Sequence, residues 1–550
     1  MAYLSAQPQI IATAVADLEE IGSAISGAGA LAAAPTSDLL AAAADEVSVA
    51  VARFFGAYGA QSQIALAQLA AFHDEFSRIL AAAGFAYTET EVTNAATVAP
   101  TPLAGPTVSL IMGGSGTPLP PAKFVNGVLN YINTQFGATT AQVLYTPEQL
   151  YPLTGAKSLP LNTSVSQGVA MLHEAIVGEI GQGNSVVALG YSQSAILASI
   201  EMRHLATMPG APTADQLAFV LLANPMNPNG GLLSRFAGLA LPSIGLNFFG
   251  ATPSDTIYPT SIYTYEYDGF ADFPRYPLNI ISDLNAIAGI ALVHTQTPYV
   301  NIDSLPPGDL VQLPTSPGYS GNTTYYMIRN HNLPLLTPVR AIPVVGNPLA
   351  DLMEPSLRTI VNLGYGDPNY GYSTTPADVP MPFELFPPVD PVRLSGTLTL
   401  GTQRGLITAA TNLFAPPPPA ELDVSALGLL QSYNAVPAPS PELLTVPTSL
   451  PGFIGNVQAA NAYLTSTFTT VTAQTYAVLL PTADILNAGA TTLPSYGLNL
   501  FLDGIEQAVE GDPMGLVNAV GRPIAAGAAL VSAGLGLEAL VVMGALVKDF

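Results

Sequence analysis

The stretch that decides the fold is NSVVALGYSQSAI at residues 184–196. Its first half is an apolar run typical of a buried strand, and a helical pattern begins after the turn GYSQS. A nucleophile elbow has this order of strand, sharp turn and helix, with small residues two positions before and two after a serine. Gly190 and Ser194 meet that requirement around Ser192. We therefore predict Ser192 as a nucleophile, the alternative being a polar turn without a chemical role.

Strands and helices alternate around this stretch. The predicted strands are 108–112, 142–145, 185–189 and 217–225, and the predicted helices are 123–136 and 164–180. Alternation of this kind indicates a mostly parallel sheet flanked by helices, which is the α/β class. A serine nucleophile on such a sheet is typical of α/β-hydrolases, in which the acid and the histidine follow the serine in the chain.

A catalytic serine needs a base, and histidine is the usual one. Of the five histidines, His204, His294 and His331 follow Ser192. His204 lies about 18 Å further along the helix that starts at Ser192, too far to contact it. We favour His294, because a single helix separates it from the best acid, and keep His331 as the alternative base. At least one of these two histidines has no part in the site.

The partner acid is expected in IYTYEYDGFADFP (262–274), which begins as an aromatic strand that we expect to end at Tyr267 or Asp268. Asp272 follows Gly269 by three residues, where hydrolases place the carboxylate that orients the histidine. We therefore predict Asp272 as the acid and keep Asp268 as the alternative. The other member of the pair has a structural role.

The oxyanion formed in acyl transfer needs preorganised N–H donors. One is expected from Gln193, directly after the nucleophile, and a second from the loop MGGSG (112–116) after the first predicted strand. Within that loop we favour Ser115 and place Gly114 next. A phosphate-binding loop is the alternative, but the glycine spacing is not G-x-G-x-x-G and no P-loop lysine follows. The predicted chemistry needs no metal and no cofactor.

The composition argues against several classes of protein. A net charge of -24 makes nucleic acid a poor partner, because phosphate binding needs basic patches. The absence of cysteine excludes disulfides and cysteine metal sites. The apolar run 523–537 is interrupted by Glu538, which favours a membrane-surface helix over a span. The N-terminus lacks a basic region before an apolar one, so we expect no cleavable Sec signal peptide.

Residues 8–83 carry apolar side chains every three or four positions and predict a helical hairpin. PTSD at 35–38 predicts the end of the first helix and the start of the second, which we expect to run from about Asp38 to Ala83. Two helices alone leave part of each apolar stripe in water. Either the rest of the chain covers the stripes, or a partner helix pair completes a four-helix bundle.

The composition changes twice more along the chain. Residues 92–106 are rich in Thr, Ala, Pro and Gly and indicate a linker. Beyond residue 385, proline-rich stretches separate Ala- and Leu-rich segments that we expect to be helical. We find no catalytic constellation in residues 386–550 and predict no function for this region.

Residues 1–91 resemble the N-terminal domain of the mycobacterial PE family, a helical hairpin of similar length. Pro8-Gln9 stands where that family has Pro-Glu, and YTETE at 87–91 fits the Y-x-x-x-[DE] signal of type VII secretion substrates. The resemblance implies that Tyr87 and Glu91 form a secretion signal. It also implies export to the cell surface or envelope by type VII secretion machinery, and a PPE-type partner for residues 8–83.

Residues 107–385 resemble the PE-PPE domain, a serine α/β-hydrolase module related to cutinases. The matching stretches are MGGSGTPLP, GYSQSA, YDGFADFP, NLPLLTPVR and VGNPLADLMEPSLR. This resemblance implies a secreted or cell-surface esterase or lipase that hydrolyses acyl esters through an acyl-enzyme on Ser192. The alternatives are a transacylase that moves acyl chains to a glycolipid or sugar hydroxyl, and a non-enzymatic surface interaction protein.

Overall fold

The computed structural model describes residues 32–64 with single positions between 14 and 80, and then residues 103–155, 157–414 and 449–546. The chain divides into two compact units, residues 1–100 and 101–550. The first unit contains the hairpin, and the second contains the sheet and the helices that flank and follow it.

The first hairpin helix, α1, continues past the stop predicted at Pro35, and its described residues reach residue 37. The hydroxyls of Thr36 and Ser37 donate to main-chain carbonyl groups four residues earlier, at 2.6 and 2.8 Å. Such bonds satisfy carbonyl groups at a helix end, where main-chain donors are lacking. The hydroxyls therefore support the additional residues of α1.

The second hairpin helix, α2, begins directly after Asp45 and not at about Asp38 as predicted. Asp45 is its N-cap, because the Asp45 carboxylate accepts the N–H groups of Val47 and Ser48 at 3.0 and 2.8 Å. Bonds from the hydroxyl and the N–H of Ser48 lower the pKa of Asp45 below its ordinary value. The predicted end of α2 at Ala83 lies outside the described residues.

The described residues of the second unit form nine strands. They are β1 (Thr107–Ile111), β2 (Thr140–Val143), β3 (Ser185–Tyr191), β4 (Leu217–Leu222), β5 (Ala240–Leu241), β6 (Leu246–Asn247), β7 (Thr260–Tyr265), β8 (Leu310–Gln312) and β9 (Thr323–Ile328). Seven of them form one sheet in the order β2-β1-β3-β4-β7-β9-β8, and β5 pairs with β6. Neighbours in the large sheet are parallel except β8 and β9. The prediction of a mostly parallel sheet is confirmed.

Helices flank the sheet and continue beyond it. They are α3 (Ala122–Phe136), α4 (Leu161–Gly181), α5 (Gln193–Leu205), α6 (Leu232–Arg235), α7 (Ile280–Leu292), α8 (Thr337–Arg340), α9 (Gly346–Leu363), α10 (Pro391–Phe414), α11 (Leu450–Val509) and α12 (Gly515–Leu546). A short 3₁₀ helix, His294–Tyr299, follows α7. The strand–helix alternation gives the crossovers that a parallel sheet needs.

Both faces of the sheet are covered. Along β3, Val186 and Ala188 belong to one apolar cluster, and Val187 and Leu189 belong to another. Successive strand side chains point to opposite faces, so these clusters are the two sides of the core. Helices α4 and α5 contribute to the first cluster and α3 to the second. Every residue of β3 and β4 is buried, as expected of central parallel strands.

Helices α10, α11 and α12 belong to the same compact unit as the sheet. The Tyr151 hydroxyl lies 2.7 Å from a carboxylate oxygen of Asp484, in α11. Leu540 of α12 belongs to a buried cluster with Leu153, in the loop after β2. The prediction of helical segments beyond residue 385 is confirmed, and these helices pack against the α/β core.

Helix α12 contains Gly515–Val542, which among the described residues is long and apolar enough to cross a membrane by length and composition. Its mean hydropathy is 1.9, and 33% of the apolar window is buried inside the protein. Ala525, Ala526 and Ala529 of this helix belong to the core cluster on the α4–α5 side of the sheet. Core helices meet the same criterion, so this finding is weak evidence for a span.

Candidate active site

The strand, turn and helix predicted around Ser192 are present. Strand β3 ends at Tyr191, helix α5 begins at Gln193, and Ser192 between them has φ 57° and ψ −114°. A positive φ is uncommon for a residue with a side chain and is the strained backbone of a nucleophile elbow. The N–H of Ser192 donates to the carbonyl oxygen of Leu222, at the end of β4, at 3.0 Å.

The two small residues of the elbow act differently. A Cβ at Gly190 would lie 2.6 Å from the carbonyl oxygen of Ser194 and 2.8 Å from the main-chain nitrogen of Ala195, so a side chain does not fit there. Ser194 is the small residue on the other side of the serine. Its hydroxyl accepts the N–H of Tyr191 at 2.8 Å and lies 3.1 Å from the Tyr191 carbonyl oxygen. The hydroxyl therefore braces the turn.

His294 is the histidine that contacts the serine. It lies at the start of the 3₁₀ helix after α7, and its Nε2 is 2.8 Å from Ser192 Oγ. The ring stacks on Tyr191 with centroids 5.3 Å apart and meets Phe270 edge to face at 5.0 Å. The Tyr191 hydroxyl also donates to the His294 carbonyl oxygen at 3.1 Å. The imidazole is 2% exposed, so its orientation is fixed by packing.

The alternative base, His331, lies outside this arrangement. Its Nε2 is 2.9 Å from Asp309 Oδ2, and its side chain is 72% exposed. His331 follows β9, and in the sheet β4 and β7 lie between β9 and the strand β3 that leads into the elbow. His294 lies in the connection after β7. Of the two histidines that the sequence left open, the structure brings only His294 to Ser192.

The acid beside His294 is Asp268 and not Asp272. Both carboxylate oxygens of Asp268 lie 2.8–2.9 Å from His294 Nδ1. Oδ1 also accepts the N–H of Phe270 at 3.0 Å, which fixes the carboxylate in the turn. Asp268 is fully buried. Of the two predicted acids, the structure therefore brings Asp268 to the imidazole.

Asp272 does not contact His294, because β7 is shorter than expected. The strand ends at Tyr265, so the residue three positions after its end is Asp268. Tyr267 has φ 70°, and the next turn brings the N–H of Asp272 to the carbonyl oxygen of Asp268 at 2.6 Å. Asp272 Oδ1 has no hydrogen-bond partner among the described residues. Burial raises the pKa of the Asp272 carboxyl well above its ordinary value, although Arg235 opposes that shift.

The two residues predicted at the oxyanion site lie side by side. The Ser115 hydroxyl donates to Gln193 Oε1 at 2.8 Å, and Gln193 Nε2 donates to the hydroxyl of Ser164, in α4, at 2.7 Å. Gly114 approaches so closely that a Cβ there would lie 3.1 Å from the Cβ of Ser192. The loop after β1 and the start of α5 therefore meet beside the serine. Sequence reasoning missed Ser164, which no motif marks.

A cavity of about 420 Å³ opens beside these groups. Ser192, Gln193 and His294 line it. Its other lining residues are largely apolar and include Leu150, Leu153, Leu232, Leu246, Phe248 and Phe270. Volumes in this range accommodate a small-molecule ligand. A hydroxyl bonded to a buried imidazole at such a cavity can add to a carbonyl group.

The predicted secretion signal, Tyr87 and Glu91, lies outside the described residues. Within the described part of the chain, His173, Glu201 and His204 form a group that could hold a metal ion. None of these three residues lines the cavity beside Ser192.

Comparisons with known proteins agree with the resemblance seen in the sequence. The PE family matches residues 4–94, and the PE-PPE domain matches residues 137–366, which include Ser192, Asp268 and His294.

Three relatives from Mycobacterium tuberculosis (strain ATCC 25618 / H37Rv) are similar to the chain. The PPE family protein PPE28 is 48% identical over 80% of this chain, which spans 66% of that protein's length. Esterase PE16 is 47% identical over 71% of this chain and 74% of its own length. The PE family protein PE3 is 45% identical over 81% of this chain and 94% of its own length. With this likeness to PE3 and the match at residues 4–94, the chain belongs to the PE family.

Proposed function

We propose that this protein is a serine esterase that hydrolyses acyl esters through an acyl-enzyme on Ser192. The observation that supports it most is the continuous chain of hydrogen bonds from Asp268 through His294 to the Ser192 hydroxyl. The similarity to Esterase PE16 supports the same reaction class.

In the proposed mechanism, Ser192 Oγ attacks the ester carbonyl carbon while His294 Nε2 takes the hydroxyl proton. Asp268 holds the imidazole through Nδ1 and stabilises the imidazolium. His294 then gives the proton to the leaving alcohol, and the acyl group stays on Ser192. Water, deprotonated by His294, attacks the acyl-enzyme, and His294 then returns this proton to Ser192 Oγ as the acid is released. These steps need no metal and no cofactor.

The tetrahedral intermediates carry a negative oxygen that needs N–H donors. We assign these donors to the main-chain N–H of Gln193 and that of Ser115. The Ser115–Gln193 hydrogen bond holds the two segments together beside Ser192. The apolar cavity favours an acyl chain as the bound part of the substrate.

The hairpin has a separate role in this proposal. Large apolar side chains of α2 are exposed, among them Val47, Phe54 and Tyr58. We propose that residues 8–83 bind a PPE-type helical partner that covers these side chains. Membership of the PE family supports such a pairing, together with export through type VII secretion machinery to the cell surface.

The test is hydrolysis of a series of p-nitrophenyl esters by the full chain. Ser192→Ala and His294→Ala are each expected to lower kcat/KM by at least about 10³-fold, because serine and base act as one unit. His331→Ala is the matched histidine control and is expected to retain activity. Unchanged turnover in Ser192→Ala, or no labelling of wild-type Ser192 by a fluorophosphonate probe, would contradict the proposal. Acyl transfer to an added glycolipid in place of free acid would replace the hydrolase with a transacylase.

A further inference from the structure

Helices α4 and α5 pack side by side and bring three potential metal ligands together near the C-terminal end of α5. His173 lies on α4, and Glu201 and His204 lie one turn apart on α5. The Nδ1 atom of His173 is 2.7 Å from Glu201 Oε1, and that of His204 is 3.3 Å from Oε2. The two imidazole rings have centroids 4.9 Å apart.

Glu201 is the unusual member of this group, because its side chain is 0% exposed. A buried carboxylate is costly unless a positive charge compensates it. In the described part of the chain its recorded ion-pair partners are the two imidazoles. Arg203 points elsewhere, since its guanidinium donates to the carbonyl oxygens of Phe249 and Ala251.

A divalent cation among the three groups compensates the buried carboxylate and binds the imidazole nitrogens that face it. We propose that His173, Glu201 and His204 form a binding site for a divalent transition-metal ion, with Zn²⁺ as the best match.

The geometry fits a zinc ion. The candidate ligand atoms all lie within 4.8 Å of one another. Ligands of a tetrahedral zinc with bonds of about 2.0–2.2 Å are roughly 3.3–3.6 Å apart, so small side-chain rotations suffice. Two nitrogen ligands and one oxygen favour zinc over calcium or magnesium, which prefer oxygen. His173 and His204 are 25% and 51% exposed, which leaves the fourth position open to water.

The site is separate from the cavity beside Ser192. Glu201 lies nine positions after Ser192 along α5, which corresponds to about 13 Å. A metal here ties α4 to α5 at the end opposite the elbow. We therefore assign it a stabilising role, which does not depend on the esterase proposal.

The experiment titrates ZnCl₂ into the full chain after removal of metal with EDTA, by calorimetry. Wild type is expected to bind one Zn²⁺ with an affinity that falls at least tenfold in His173→Ala and in His204→Ala. His331→Ala is the control, because His331 also pairs with a carboxylate and is exposed. At a free zinc concentration about 100-fold above Kd, the Tm of wild type is expected to rise by about 3 °C.

A second readout separates loss of metal binding from loss of fold. His204 is half exposed, so its replacement leaves the core intact, and circular dichroism of His204→Ala without metal is expected to match wild type. Co²⁺ in the wild-type site is expected to give visible absorption bands that disappear in His204→Ala and persist in His331→Ala. No zinc binding to wild type, or equal affinity in His204→Ala and His331→Ala, would overturn the proposal.

Discussion

The hairpin and the α/β core differ in how far their apolar side chains are exposed to solvent. In α2, Val47, Phe54 and Tyr58 are 72%, 68% and 67% exposed. In β3 and β4, every residue is buried. Because large exposed apolar patches mark interaction sites, the difference supports the proposal that the hairpin binds another protein, whereas the sheet buries its own apolar side chains.

The largest expected effect tests whether the core supplies its own acid. Asp268→Asn is expected to lower kcat by about 10³–10⁴-fold, because Asn no longer holds His294 in the required tautomer. Esterase assays of the purified variant measure this loss. Asp272→Asn is the matched control, since Asp272 is equally buried but does not contact the imidazole. We expect it to lower kcat less than about tenfold. The reverse ranking would return the acid to Asp272.

Asp268 and Asp272 also show which parts of the candidate site can be predicted from the sequence. The elbow at Ser192 was predictable because the strand, the turn and the small residues at 190 and 194 are all local. The acid was not, because its position depends on where β7 ends. Tyr267 leaves the strand conformation with φ 70°, although an aromatic residue there is typical of a strand. Local pattern therefore identified both candidate acids and could not choose between them.

The same limit applies to the helical parts. The periodicity of residues 8–83 predicted two helices, but the turn between them lies further along the chain than expected, because Asp45 caps α2 and residues 35–37 belong to α1. Beyond residue 385 the composition predicted helices without indicating what they contact. Leu540 and Leu153 belong to one buried cluster although they lie almost 400 positions apart in the chain, which no local pattern can encode.

The next effect concerns a buried carboxyl of the core. Glu148 is fully buried, its Oε1 accepts the Thr146 hydroxyl at 2.7 Å, and its main-chain carbonyl accepts the N–H of Gly116. Burial raises the pKa of Glu148 from 4.5 to about 8. Folding therefore favours the protonated form. This stabilisation is complete below about pH 4.5 and is lost as the pH rises from there through about 8, and the total loss is at most about 5 kcal/mol.

Thermal unfolding between pH 5 and pH 9 measures this dependence. The Tm of wild type is expected to fall with rising pH, and the Tm of Glu148→Gln is expected to fall less over the same range. Part of the slope persists in the variant, because burial also raises the pKa of Asp283 to about 8. Glu174→Gln, at an exposed position of α4, is the control and is expected to keep the wild-type slope. Equal slopes in all three proteins would contradict a buried proton at Glu148.

A smaller effect tests whether the helices after residue 385 belong to the core. Leu540 is 6% exposed and belongs to the same buried cluster as Leu153, which lines the cavity. Leu535 of the same helix is 67% exposed. Leu540→Ala is expected to lower the free energy of unfolding by about 2–3 kcal/mol, because it leaves a cavity. Leu535→Ala is expected to change it by less than about 0.5 kcal/mol. Chemical denaturation measures both free energies of unfolding. Equal losses in the two variants would contradict the packing of α12 against the core.

The smallest expected effect concerns binding of a partner by the hairpin. Phe54 and Phe55 are 68% and 54% exposed, so glutamate at both positions is tolerated by the fold, and Tm and esterase activity are expected to stay as in wild type. Binding to a PPE-family protein co-expressed with the full chain is expected to weaken at least tenfold, about 1.4 kcal/mol, because charges replace aromatic contacts. Phe386→Glu, at a position 73% exposed in the second unit, is the control. If both variants co-purify with the PPE protein as wild type does, these exposed side chains do not form its binding surface, and the contrast between the two regions loses its functional meaning.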